Sequence, residues 1–286
     1  MRLVDRILVG MMREKMRSGS GDPKSIFLEE IVGCDGLIPI SKSQPQDVFI
    51  VGYPKSGNTW MQHLICGAVY GMDLERTPDS LVQDLVPDVH SRQFYRRHRE
   101  AMFFKTHFLP QPEYRRVILL LRDGRDVMVS YFHHLKASLG ETLDFLEMVE
   151  HGTELFPCHW HEHVDAWRRN PYGADLITVR YEDLKLDPIA QLRRICAFAG
   201  VPAEGADLER AVQTSSFQAM QSKEARWGWD SARKWPRDRK FVRRGVVGSH
   251  NDEMPPQIRN SFLRKASETL QAVGYLDMDW PIPSET

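Results

Sequence analysis

The segment VFIVGYPKSGNTW, residues 48–60, constrains the fold of this chain more than any other. Residues 48–51 form an unbroken apolar run too short for a helix, which predicts a buried strand. Gly52, Pro54, Ser56 and Gly57 interrupt regular structure, and Met61, Leu64, Ile65, Ala68 and Val69 then recur at helical spacing. A helix is expected to open near Thr59. A strand, short loop and helix in that order let loop N–H groups and the helix N-terminus cradle phosphate oxygens.

Three further apolar runs, at 102–104, 117–121 and 176–179, read as strands. Helical periodicity follows two of them: Val127, Tyr131 and Leu135 after the second, and residues 191–199 after the third. Strands alternating with helices predict an α/β fold, a three-layer P-loop-like arrangement with a central parallel β-sheet flanked by helices. Ligands of such sheets bind beyond the carboxyl ends of the strands. Pro256 to Val273 reads as a last helix, opened by paired prolines and ended near Gly274. Residues 73–99 and 222–248 read as loops or lids. No repeat or low-complexity linker divides the chain, so 1–286 is expected to be one domain. Residues 1–46 form its N-terminal helical or loop extension, with Leu3, Ile7, Leu8 and Met11 on one helical face.

The loop resembles the nucleotide-binding pattern G-x-x-x-x-G-K-[ST] at Gly52, Gly57 and Thr59, but Asn58 stands at the lysine position. The lysine comes three residues earlier, at Lys55, and a cation at the front of the loop suits a donor with one phosphate and one transferable group. Lys105 and His107 fall just past the second strand, where an imidazole with a pKa of ~6.5 can take a hydroxyl proton. Arg122 caps the third strand, and Ser130 lies a little over two turns along the next helix. A guanidinium fork and a hydroxyl so placed can share one terminal phosphate. In the run RDGRD, Arg125 reads instead as part of a surface ion pair.

With these residues in hand, YPKSGNTW resembles the phosphosulfate loop of the soluble, cytosolic-type sulfotransferases, written YPKSGTTW. The resemblance runs from about Val48 to Gly248. It implies 3′-phosphoadenosine 5′-phosphosulfate as co-substrate, adenosine 3′,5′-bisphosphate as product, and a parallel sheet of about five strands. KTH-x-LP resembles the family's catalytic segment, making His107 the general base, with Lys105 on the sulfuryl group and Lys55 on the leaving phosphate. Ser56, Gly57, Asn58 and Thr59 would complete the loop, and the Asn58 amide is expected to donate to a donor oxygen. Arg122 and Ser130 resemble the 3′-phosphate pair. Tyr181, with Ser215, Ser216 and Phe217 of SSFQAM, would line the nucleoside pocket, and Trp60 would stack on the base. KFVRRGVVG resembles F-x-RKG-x-x-G, which assigns Arg243, Arg244 and the Gly245 N–H to the 3′-phosphate and places Phe241 in the co-substrate site. Ser249, His250 and Asn251 replace the family's Asp-Trp-Lys, and its C-terminal dimer pattern is missing, so the oligomeric state stays open.

Composition limits the remaining classes. Lys plus Arg number 38 against 39 Asp plus Glu, for a net charge of −1, which gives no global reason to expect nucleic-acid binding. No segment approaches the ~20 apolar residues of a membrane span, and no signal peptide is apparent. The four scattered cysteines fit a reducing, cytoplasmic setting. CHWHEH has ligand-like spacing without a second cluster, so no metal is expected, and a sulfuryl group carries less charge than a phosphoryl group. RQFYRRHRE, residues 92–100, reads as a solvated helix face. Trp227, Trp229 and Trp235 are expected near the mouth of the site, as a lid or an acceptor grip. The acceptor is expected to be a small hydroxylated molecule. Two other readings are a P-loop nucleotide kinase, disfavoured by Asn58, and a non-catalytic nucleotide-binding module.

Overall fold

The computed structural model describes residues 36–140, 142–202, 204–228 and 240–279. Its strands are β1 (Ile38–Pro39), β2 (Val48–Gly52), β3 (Phe94–Tyr95), β4 (Phe103–Thr106), β5 (Arg116–Leu121) and β6 (Asp175–Arg180). The helices are α1 (Asn58–Tyr70), α2 (Asp79–Leu85), α3 (Gly124–Leu139), α4 (Phe145–His151), α5 (Trp160–Arg169) and α6 (Tyr181–Leu186). They continue with α7 (Pro188–Ala199), α8 (Gly205–Thr214), α9 (Phe217–Trp227), α10 (His250–Glu253) and α11 (Pro256–Ala272).

The main sheet has the order β4-β2-β5-β6, and every pairing is parallel. Alternating side chains explain why both faces are covered. Val48, Ile50, Ile118 and Leu120 pack on one side with Met61, Leu64, Ile65, Leu192 and Leu208. Phe49, Val51, Val117 and Leu119 pack on the other with Phe104, Tyr114 and Trp167. A further cluster joins Val127, Met128, Trp160 and Phe262 of the flanking helices.

Register places the site. Val51 lies opposite Thr106, Gly52 opposite Leu120, and Leu121 opposite Arg180, so the strands stop together. Lys55, His107, Arg122 and Tyr181 follow within a few residues of those ends and emerge along one edge of the sheet.

Several expectations change. The stretch 73–99 is not a continuous loop, because α2 and β3 lie in it and β3 pairs antiparallel with β1. Residues 92–100 are not helical. Tyr95 is buried and Arg97 holds the fully buried Asp47 at 2.7 Å, which ties the segment down, while Gln93, Arg96, His98, Arg99 and Glu100 stay exposed. Residues 222–227 complete α9, while Trp229, Trp235 and residues 1–35 lie outside the described residues. The main sheet has four strands among the described residues against the five implied by the resemblance. No helix among the described residues is long and apolar enough to cross a membrane.

Candidate functional site

The phosphate loop is shaped by two left-handed residues, Lys55 at φ 71° and Gly57 at φ 100°. A non-glycine residue held there stores strain on the order of 1–3 kcal/mol. At Gly57 there is also no room, since a Cβ would sit 2.8 Å from the Tyr181 ring. Gly57 caps α1, leaving the first amides of that helix without helical acceptors. Asn58 Nδ2 donates to the Tyr53 carbonyl at 2.9 Å, so the side chain at the usual lysine position closes the loop from beneath. This bond uses one of the two N–H groups of the amide, and Asn58 lines the cleft.

The loop opens on a cleft of about 560 Å³. Of the residues singled out from the sequence, Lys55, Gly57, Asn58, Thr59, Trp60, Lys105, His107, Arg122, Ser130, Tyr181, Phe217, Phe241, Arg243, Arg244 and Gly245 all line it. Ser56 and Ser215 do not. They are buried at 1% and 0% exposure, and neither hydroxyl has a partner. Ser215 instead gives its carbonyl to Trp60 Nε1 at 2.9 Å, and Ser216 caps α9 by accepting from the Ala219 N–H. Ser216 is not among the residues lining the cleft. Trp60 meets Tyr181 edge to face at 5.7 Å, forming an aromatic corner.

Positive charge converges on the cleft. Lys55 Nζ lies 4.6 Å from the Phe241 ring centre. Burial first, then the neighbouring Lys105, Arg122 and Arg243 cations, lower the Lys55 pKa to about 7. Arg122 is buried, donates to the carbonyls of Lys55 at 3.1 Å and Val246 at 3.0 Å, and lies over the Tyr181 ring. It thus ties the front of the phosphate loop to the 240–248 segment, and its Nε has no partner. Arg125 pairs with Asp123 at 2.6 Å and donates to the Tyr275 carbonyl, which places it in a half-buried clamp and not on the solvated surface expected for it. Unpartnered buried donors beside a basic cradle fit an anionic, oxygen-rich ligand such as the phosphosulfate donor.

His107 Nδ1 lies 2.6 Å from the Gly52 carbonyl oxygen. A carbonyl only accepts, so Nδ1 carries the proton and Nε2 keeps the lone pair. Burial, then Lys105, hold the imidazole well below its usual pKa, so it is neutral at pH 7.

The structure also reveals partners that the sequence reading missed. Asp88 binds Lys105 Nζ at 2.7 Å. His90 stacks on His107 at 5.1 Å and accepts its backbone N–H at 2.8 Å. Buried Asp126 accepts from the Gly248 and His250 amides and from His250 Nδ1, anchoring the root of the basic segment. Glu253 takes Arg243, Arg244 and His133. No motif marks these residues: Asp88 and His90 sit in a stretch that reads as loop, and Asp126 looks like one more charge in RDGRD.

The CHWHEH segment becomes the start of α5, where His159 caps the helix and His163 is buried. No group of three or more His, Cys, Asp or Glu side chains among the described residues is arranged to hold a metal ion.

A family model described as a sulfotransferase domain matches residues 45–274. Sulfotransferase 1C2 of Oryctolagus cuniculus is 25% identical over 237 residues, covering 72% of this chain and 79% of the relative. Human sulfotransferase 2B1 is 31% identical over 194 residues, covering 62% of this chain and 52% of the relative. Among solved structures, mouse sulfotransferase SULT7A1 complexed with PAP superposes with a TM-score of 0.60 at 21% identity, covering 82% of this chain and 87% of the other. A retinol dehydratase complexed with retinol and PAP gives 0.58 at 20% identity, covering 84% of each chain. These two likenesses show the fold.

Proposed function

The chain belongs to the sulfotransferase family, and from that premise we propose that it moves a sulfuryl group from 3′-phosphoadenosine 5′-phosphosulfate to a hydroxyl, or an amine, of a small molecule, with His107 as the base. One observation carries the reading: Lys55, Lys105, Arg122 and the neutral His107 all face one cleft at the carboxyl ends of the strands.

The donor, when bound, supplies an activated sulfuryl group with a bisphosphate leaving group. The chain supplies the rest. His107 Nε2 takes the acceptor proton as the acceptor oxygen bonds to sulfur and the bond from sulfur to the 5′-phosphate oxygen breaks. Lys55 and Lys105 balance negative charge on the leaving phosphate and on the sulfuryl oxygens. Arg122, Ser130, Arg243 and Arg244, with the Gly245 N–H, hold the 3′-phosphate. Gly245 is open to that role because its backbone lies against Phe217, where a Cβ would come within 2.5 Å of the ring. Trp60, Tyr181 and Phe217 line the base pocket. Offsetting the charge with the Lys55 and Lys105 side chains suffices on this reading, so no metal is required.

The family match over 45–274 supports one sulfotransferase domain within 1–286. Unpaired Cys66, Cys158 and Cys196 support a reducing, cytoplasmic setting. The kinase reading is not favoured, because Asn58 bonds Tyr53 where a phosphate-binding lysine would stand.

Calorimetric titration with adenosine 3′,5′-bisphosphate, against ATP with magnesium, tests the donor class. Sulfuryl transfer from labelled donor to a panel of phenols and alcohols tests the reaction. Binding of ATP with magnesium in preference to the bisphosphate would overturn the reading.

A further inference from the structure

We propose that Glu253 competes with the 3′-phosphate for the Arg243 and Arg244 guanidiniums, a carboxylate whose bonds the incoming phosphate must break, which thereby sets how strongly a 3′-phosphorylated donor is selected. The inference rests on the assignment of Arg243 and Arg244 to that phosphate.

The carboxylate gathers three cationic or cation-capable groups from separate parts of the chain. Arg243 Nη1 lies 2.5 Å from its Oε2, Arg244 Nη1 binds its Oε1, and His133 Nε2 of α3 lies 2.8 Å from Oε2. Both arginines line the cleft, while Glu253 closes the α10 turn behind them. That turn is fixed in place. Asp126, fully buried, accepts from the Gly248 amide at 2.8 Å, from the His250 amide at 3.0 Å and from His250 Nδ1 at 2.8 Å. Glu253 is itself only 18% exposed, so its charge is held among these cations and not dispersed in water.

A carboxylate offers one charge and two oxygens, whereas a phosphate monoester brings nearly two charges and three acceptor oxygens to the same guanidinium forks. The phosphate therefore wins, but only after the bonds to Glu253 are given up. A nucleotide without the 3′-phosphate leaves the Glu253 bridges intact and loses nothing. Glu253 thus weakens bisphosphate binding selectively.

The test compares wild type, E253Q and E253D by calorimetry with adenosine 3′,5′-bisphosphate and with adenosine 5′-phosphate. Glutamine removes the charge, and aspartate keeps it but falls one methylene short. Displacing a charge-assisted bond of typical strength predicts that E253Q binds the bisphosphate about tenfold more tightly. E253D should shift in the same direction, and adenosine 5′-phosphate should bind all three proteins alike, reporting an intact pocket. Bisphosphate binding that is unchanged or weaker in both variants would overturn the proposal, leaving Glu253 as a brace for the arginines. Should wild type bind both nucleotides equally and R243A leave both affinities unchanged, the 3′-phosphate assignment itself fails, and the proposal with it.

Discussion

His107 Nδ1 lies 2.6 Å from the carbonyl oxygen of Gly52, so the candidate base is hydrogen-bonded to the last residue of the strand that launches the phosphate loop. Base and donor cradle are therefore held by one strand end. Replacing His107 with alanine should lower sulfuryl transfer by about 10²–10⁴-fold, the usual worth of a general base. Bisphosphate affinity should change by less than about threefold. Paired transfer assays and calorimetry check both, and turnover near the wild-type rate would remove His107 from the mechanism.

Lys55 has a pKa lowered to about 7, through burial first and then Lys105, Arg122 and Arg243. Above that pH the free protein holds it largely as an amine, and a bound phosphate favours the ammonium. Bisphosphate binding at pH 8 should accordingly take up a proton, read by calorimetry in buffers of differing ionisation enthalpy. In K55M that uptake should vanish and affinity should fall by about tenfold or more.

Three histidines are held neutral by burial. The pKa of His134 falls to about 3, with burial first and Lys55 second, that of His163 falls to about 4 through burial, and His107 is lowered in the same direction. A depressed imidazole means that the unfolded chain binds more protons than the fold between the folded pKa and ~6.5, so stability drops as pH falls through that window. Each histidine contributes a slope of up to about 1.4 kcal/mol per pH unit. Thermal unfolding from pH 7 to pH 4 should show a falling Tm, and H163F, if it folds, should flatten the fall. A Tm constant over that range would contradict the burial argument.

At Gly57 the backbone is left-handed and the Tyr181 ring fills the space where a side chain would begin. G57A should cost about 1–2 kcal/mol of stability from the conformation alone and should push the loop off Tyr181. Bisphosphate affinity should drop by more than about tenfold. Denaturant unfolding and calorimetry read the two effects separately.

Arg122 joins the Lys55 and Val246 carbonyls. R122M should therefore loosen two loops at once, lowering bisphosphate affinity and raising hydrogen exchange at residues 54–57 and 243–248 together. Exchange rising in only one of these segments would show that Arg122 is not the tie between them.

Much of this protein was determined by sequence alone, because the relevant signals are local. Unbroken apolar runs within Val48–Gly52 and Arg116–Leu121 define strands covered on both faces, and helical spacing after them defines α1 and α3. A left-handed bend needs glycine at 57, and a buried strand end followed by a helix predicts the cradle. Tertiary structure decided what local signals cannot reach. Whether Arg122 lies on the surface or in the site depends on Val246, far along the chain, and Asn58 turns inward because the Tyr53 carbonyl needs a donor there. Asp88 on Lys105, His90 on His107 and Glu253 on Arg243 are pairings made by chain crossings, which carry no periodicity. The protonation of Lys55 and of His107 follows from burial and from such neighbours. Desolvation and opposite charge act through space, so the sequence named the groups and the fold set their protonation.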